Sequence, residues 1–204
     1  HNQAPTKGSK PMSAVASGFV PGSGAGALVL ESLKSALDRK AEIYAEVLGG
    51  NLNSGGQRNG GTITAPNSEA VQKCITDALK DAGVKSEHVD AINGHLTATS
   101  KDTLEIENWT KAMKRKGDKF PMINSLKSMT GHCLAAAAAI ESVATVLQLK
   151  YQFIFPNINC ERIHPEILKL ISKDKIPIKM LKMKLNIIAK ASFGFGDVNG
   201  CIIF

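Results

Sequence analysis

Along the chain, apolar positions recur at two periods, short alternating or continuous runs and longer helical ones, in the interleaved order of an α/β protein built on a mixed sheet. From Pro66-Asn67 to Ala82, apolar residues at Val71, Ile75, Ala78, Leu79 and Ala82 predict a helix that stops at Gly83. Val89 to Asn93 reads as a strand running straight into His95, Asp102 to Lys114 as a helix, and Met122 to Asn124 as a short strand. Gly131 to Leu149 reads as one long, buried, alanine-rich helix. Upstream, ALVLE ending at Glu31 reads as a strand and Ser32 to Lys40 as a short helix with a serine cap. Glu42 to Leu48 alternates like a half-exposed strand and enters a glycine-rich loop from Gly49 to Gly61. The end carries a strand from Asn186 to Ala191, a glycine-rich turn and a last strand, CIIF.

A length of 204 residues, 43% hydrophobic and 21% charged, suits one globular domain or half of a larger one. The chain opens on His1 with a polar stretch lacking periodicity, so it is expected to enter in the middle of a longer protein. Leu134 to Leu149 is interrupted by Glu141 and Gln148 and fits a buried helix rather than a bilayer span; no membrane association is expected. The Gly22-Ser23-Gly24-Ala25-Gly26 stretch leads into a predicted strand, whereas a dinucleotide loop follows a strand and opens a helix. Close backbone packing or a subunit contact explains these glycines better.

Cys74, Cys133, Cys160 and Cys201 are scattered and, with His95 and His132, give no metal-ligand spacing. They read as reduced, mostly buried thiols of a cytoplasmic protein, with no metal or cofactor expected. The net charge is +7, with basic segments starting at Lys111 and Lys173. Aromatics do not interleave with these lysines, which argues against nucleic acid. They read as solvated faces whose field suits an acidic protein partner.

The candidate chemistry lies in two small-residue segments, GHLTATSKDTLE around His95 and SLKSMTGHCLAAAAAIE around His132. A Thr/Ala/Gly stretch after a strand lets an imidazole approach a ligand closely. A Gly-His at the start of the Ala-rich helix puts the second imidazole where the helix field disfavours its protonation. Two neutral imidazoles can both donate to one developing oxyanion, and Lys127 lies five residues before His132. Asp102, taken alone, reads as a helix N-cap with Glu105 completing a capping box.

These segments resemble, in order, those of the C-terminal half of an elongating β-ketoacyl-[acyl carrier protein] synthase of the thiolase-like superfamily. GFVPGSGAGALVLE, RKAEIYAEVLG, NGHLTATSKDTLE, SLKSMTGHCLAAAAAIES, FPNIN and SFGFGDVNGCIIF are each similar to a family motif. The resemblance implies that residues 1–204 are half of a layered α/β/α/β/α ketosynthase with a mixed five-stranded sheet. It implies a homodimer, an acyl carrier protein partner, and acyl and malonyl thioester substrates. The implied reaction is a decarboxylative Claisen condensation. His95 and His132 match the pair that donates to the malonyl thioester oxygen, and Lys127 the lysine that orients the second histidine. Phe195 matches a gatekeeping phenylalanine whose backbone N–H completes an oxyanion hole. Asp102 and Glu105 match acidic residues that pair with the lysine, with Thr97 and Thr99 in support. In some relatives a monovalent cation is held at positions matching Asn93, Glu141 and Ser192; ordinary hydrogen bonding there is the other reading.

Departures from the family pattern bear on geometry. The nucleophilic cysteine belongs to the other half of the fold, and none of the four cysteines here has the matching context. Leu96 replaces a glycine beside the first histidine and is expected to narrow the malonyl channel or alter which acyl partners fit. Asp197 replaces a glycine of the closing motif, Ala135 and Ala138 replace helix glycines, and Ser23 replaces an acidic residue. Two alternatives stand beside the condensing enzyme. One is a non-catalytic partner of the chain-length-factor kind, which usually loses some of these histidines and the lysine. The other is a thiolase-type degradative enzyme, disfavoured by the Lys127-to-His132 element and the Phe-Gly-Phe-Gly ending.

Overall fold

The computed structural model describes residues 4–204. Its elements, in chain order, are α1 (Leu33–Asp38), β1 (Gly49–Ser54), α2 (Ser68–Asp81), β2 (Ala91–Asn93), α3 (Asp102–Met113), β3 (Met122–Asn124), α4 (Lys127–Thr130), α5 (Ala137–Tyr151), β4 (Phe153–Ile154), α6 (Pro165–Leu168), β5 (Leu181–Lys182), β6 (Ile188–Gly194) and β7 (Val198–Ile203). Five strands form one mixed sheet in the order β1-β7-β6-β2-β3, antiparallel through β1, β7 and β6 and parallel through β6, β2 and β3. β4 and β5 form a separate antiparallel pair.

Alternation along β6 divides the sheet into two faces. Ala189, Ala191 and Phe193 join the main core with Val71, Ile75 and Ala78 of α2 and Ile106 and Trp109 of α3. On the other face Ile188 packs with Ala91 of β2 and Ile154 of β4. Lys190, next in the same row, meets Glu141 of α5 and also bonds to the Ser192 hydroxyl. The helix α2 forms as its spacing predicts: Asn67 accepts from the N–H groups of Glu69 and Ala70, and Val71, Cys74, Ile75, Ala78 and Leu79 are buried. Burying each larger apolar side chain of that stripe contributes about 1.5–3 kcal/mol.

Four expectations change. Ala27–Glu31 and Glu42–Leu48 form no strand, although the Leu48 N–H, just before β1, donates to Ile203 O of β7 at 2.9 Å. Most of their apolar side chains stay exposed, Val29 at 92% and Leu30 at 73%, while Leu48 packs against the main core. The predicted glycine loop instead begins with β1, whose six residues pair along β7. Its glycines are required there: a Cβ on Gly49 would stand 2.6 Å from the backbone nitrogen of Ala82, and one on Gly50 2.9 Å from the Cys201 carbonyl. Finally, α5 begins at Ala137, not Gly131, because a short 3₁₀ turn precedes it and Leu134 takes a left-handed φ of 49°.

The Gly22 segment does pack closely. The Gly22 N–H donates to His132 O at 3.0 Å and the His132 N–H donates to Val20 O at 2.7 Å. A Cβ on Gly22 would lie 2.3 Å from the Thr130 carbonyl. No helix among the described residues is long and apolar enough to cross a membrane.

Candidate active site

The parallel strands β2 and β3 end side by side; the loop after β2 carries His95, and Lys127 opens α4 just after β3. Beyond β2, two carboxylates shape the His95 loop from inside. Glu105 accepts the backbone N–H groups of His95 and Leu96, each at 2.7 Å. Asp102 accepts those of Thr97 at 2.9 Å, Ala98 at 3.1 Å and Met12 at 2.8 Å. Asp102 therefore turns back onto the preceding loop and does not form a capping box. Neither acid hydrogen-bonds Lys127, contrary to the resemblance. Burial pushes the Glu105 carboxyl up to about 7 against the pull of its N–H donors, and Asp102 also rises through burial. The Thr97 and Thr99 hydroxyls lie 3.2 Å apart and bond to each other.

Leu96, expected to affect how substrate fits, is a core residue that does not line the cavity of His95 and His132. It is fully buried in the main core, and its carbonyl accepts from the Ser125 hydroxyl at 2.8 Å. That bond ties the His95 loop to the turn carrying Lys127. Asn157 holds the same turn by accepting the Ser125 N–H at 2.9 Å, and Ser9 donates to the Lys127 carbonyl.

Lys127 is 1% exposed and pairs with Glu141 Oε1 on α5. A second buried ammonium, Lys190, lies 2.8 Å from Glu141 Oε2. Burial opposes ionisation of Glu141, but Lys190 and Lys127 together outweigh it and hold the carboxyl below its usual range. Burial lowers Lys127 more than Glu141 raises it. Lys190 was missed in the sequence, although a lysine inside the apolar run IIAKASF was the available signal.

His95, His132 and Phe195 meet on one cavity of about 240 Å³, whose wall includes Ser192, Phe193 and Gly194. The two imidazole centroids are 5.5 Å apart and nearly perpendicular. Both are held below the ordinary histidine pKa, first by burial and then by the charge of Lys127. The helix field is not the cause for His132, since α5 starts five residues later. His132 Nδ1 accepts the Leu134 N–H at 3.1 Å, so the neutral ring carries its proton on Nε2. His95 Nδ1 is buried without a hydrogen-bond partner. Phe195, at the β6–β7 turn, is 63% exposed. Asp197 in the same turn has a φ of 65° and is buried against the loop after β1. Its carboxylate accepts the Asn67 N–H at 2.8 Å and the Gln57 N–H at 3.0 Å.

The resemblance to a monovalent-cation site fails on the donors present. Glu141 and Ser192 are both engaged by the Lys190 ammonium, Ser192 Oγ at 2.9 Å. Asn93 is fully buried with neither amide atom hydrogen-bonded. All four cysteines are free and buried. Burial pushes the Cys74 thiol up to about 11 and Cys160 up to about 12, and raises Cys201 further. Such thiols stay protonated near neutrality and are poor nucleophiles. No cluster of three His, Cys, Asp or Glu side chains suited to a metal occurs among the described residues.

Comparison with known proteins adds the following. Residues 44–161, which include His95, Lys127, His132 and Glu141, match the family described as "Beta-ketoacyl synthase, C-terminal domain". The chain is 38% identical over its whole length to 3-oxoacyl-[acyl-carrier-protein] synthase I, chloroplastic, of Arabidopsis thaliana, covering 41% of that protein. Two solved structures superimpose with a TM-score of 0.86 at 34% identity: the ishigamide ketosynthase/chain length factor, and a type II PKS acyl-carrier protein in complex with its ketosynthase bound to the hexaketide. They are matched over 96% and 97% of this chain, and over 46% and 47% of theirs. The chain thus spans less than half the length of these relatives.

Proposed function

Since the chain belongs to the β-ketoacyl synthases through their C-terminal domain, we propose that it supplies the histidine and lysine part of a decarboxylative Claisen condensation. The observation that carries this reading is the pair of imidazoles, both held neutral and both on one small cavity. When a malonyl thioester loses carbon dioxide, the electron pair of the broken C–C bond moves onto the thioester oxygen as an enolate. His95 and His132 donate hydrogen bonds to that oxygen. A neutral donor stabilises the enolate without surrendering its proton, so the carbon remains able to attack an acyl thioester. An imidazolium would instead be an acid able to quench it. Each preorganised donor in such a site is worth about 3–4 kcal/mol. Lys127 acts on both rings through its charge and is itself held by Glu141.

The acyl group would sit on a cysteine of an N-terminal half. Three strands of support exist for such a half. The relatives are more than twice as long, the described cysteines are protonated or lie off the cavity wall, and apolar side chains line an open groove of about 710 Å³ between Leu28 and Val47. The +7 charge favours an acidic acyl carrier protein as thioester donor, a partner named for one similar ketosynthase. In this reading Phe195 gates the acyl branch, which its exposure on a turn between two glycines supports.

The test uses the chain together with its cysteine-bearing half. His95→Ala and His132→Ala are each expected to lower malonyl-carrier decarboxylation by about 10²–10³-fold while circular dichroism stays unchanged. Wild-type rates in both variants would overturn the reading.

A further inference from the structure

Lys190 enters the core from the middle of β6, where a buried ammonium must replace its lost water with protein oxygens. It finds three: Glu141 Oε2 at 2.8 Å, Ser192 Oγ at 2.9 Å and the Ala191 carbonyl. A carboxylate, a hydroxyl and a carbonyl are also the hard oxygen donors that a metal cation takes. Asn93, the register partner of Lys190 across β2 and β6, adds a buried and unpartnered amide beside them. A free ion does not fit this set as it stands. Glu141 already lies between two ammoniums, and a third positive charge on the same carboxylate would be repelled by both.

We propose that Lys190 is a tethered cation: its ammonium occupies an oxygen set otherwise suited to a monovalent metal ion, and holds Glu141 against Lys127 without one. This goes beyond the condensation reading and does not depend on it. Lys190 is a positioning residue, two links removed from the imidazoles through Glu141 and Lys127. A charge fixed to the chain keeps the cluster complete whatever the potassium or sodium level. Removing it while keeping the oxygens opens a site that an alkali ion can fill.

The experiment compares melting temperatures of the wild-type chain and Lys190→Ser in potassium, sodium and choline chloride at equal ionic strength. Crystals of both are also soaked in thallium(I), a heavy stand-in for potassium. The wild type is expected to melt alike in all three salts and to show no thallium at Glu141. Lys190→Ser is expected to melt about 4 °C higher in potassium than in choline, saturably. Thallium is expected between Glu141, Ser192 and Asn93 in that variant. Folding of Lys190→Ser in potassium but not in choline is the same result in stronger form. A wild type that binds thallium at Glu141, or melts higher in potassium than in choline, overturns the proposal. So does a folded Lys190→Ser indifferent to the cation. Should the variant fail to fold in every salt, the wild-type thallium soak decides alone.

Discussion

The charge cluster beneath the cavity and the apolar segment from Leu28 to Val47 meet burial in opposite ways. In the cluster, Lys127, Lys190 and Glu141 are each within 3% of complete burial, and every charge faces an opposite one. In the segment, Val29, Leu30, Leu33 and Val47 are exposed, and apart from α1 the backbone forms neither helix nor strand. A protein that carries the desolvation of three buried ions within one chain has organised that region completely. A contiguous apolar groove left open is the kind of surface that a partner covers. The contrast separates a region whose groups satisfy one another from a region whose apolar surface is left open.

The largest effect expected from breaking that contrast is on catalysis as a whole. The chain alone should form no carbon–carbon bond from acyl and malonyl carrier proteins, whereas addition of a cysteine-bearing N-terminal half should restore turnover. Product formation by the isolated chain, with acylation of one of its own cysteines seen by mass spectrometry, would remove the need for the second half.

Next comes Glu141→Gln. It leaves two buried ammoniums facing a neutral amide, and should cost about 3–5 kcal/mol by denaturant unfolding. A cost under about 1 kcal/mol would mean that water reaches the cluster. Glu105→Gln sharpens the same region through pH. The Glu105 pKa rises from 4.5 to about 7 on folding, so its carboxyl contributes stability at low pH that is lost as pH climbs between those values. The variant should therefore gain on the wild type as pH rises through that window, read by urea unfolding at several pH values. Smallest on the chain itself is Val29→Asp, at a side chain 92% exposed. Its unfolding free energy should change by less than about 0.5 kcal/mol, while assembly with the N-terminal half, followed by analytical ultracentrifugation, should fail.

What the sequence made legible follows the range of the interactions. α2, β2, α3 and β3 appear where periodicity and stop signals predict them, because Asn67, Gly83 and the apolar stripe act within one element. The start of α5 was misplaced because the five alanines from 135 to 139 favour helix locally, yet the His132 ring captures the Leu134 N–H and holds that residue at positive φ. β1 was hidden by its glycines and asparagines, which form a strand only because β7 lies alongside. His95, His132 and Phe195 were visible in their motifs and meet on one cavity. The partner of Lys127 was not, since Glu141 is 14 residues on and Asp102 and Glu105 were nearer the motif. Lys190 reaches the cluster only through pairing of β6 with β2, a contact no local pattern reveals.

The proposed condensation requires two imidazoles that stay neutral and present donors to one cavity. The most direct measurement is nitrogen-15 NMR of the histidine rings across a pH titration through 6.5, the ordinary histidine value. Both rings should remain neutral at and below that pH, with His95 the last to protonate and His132 showing its proton on Nε2. A ring of either residue found as imidazolium at neutral pH, or His132 protonated on Nδ1, would contradict it.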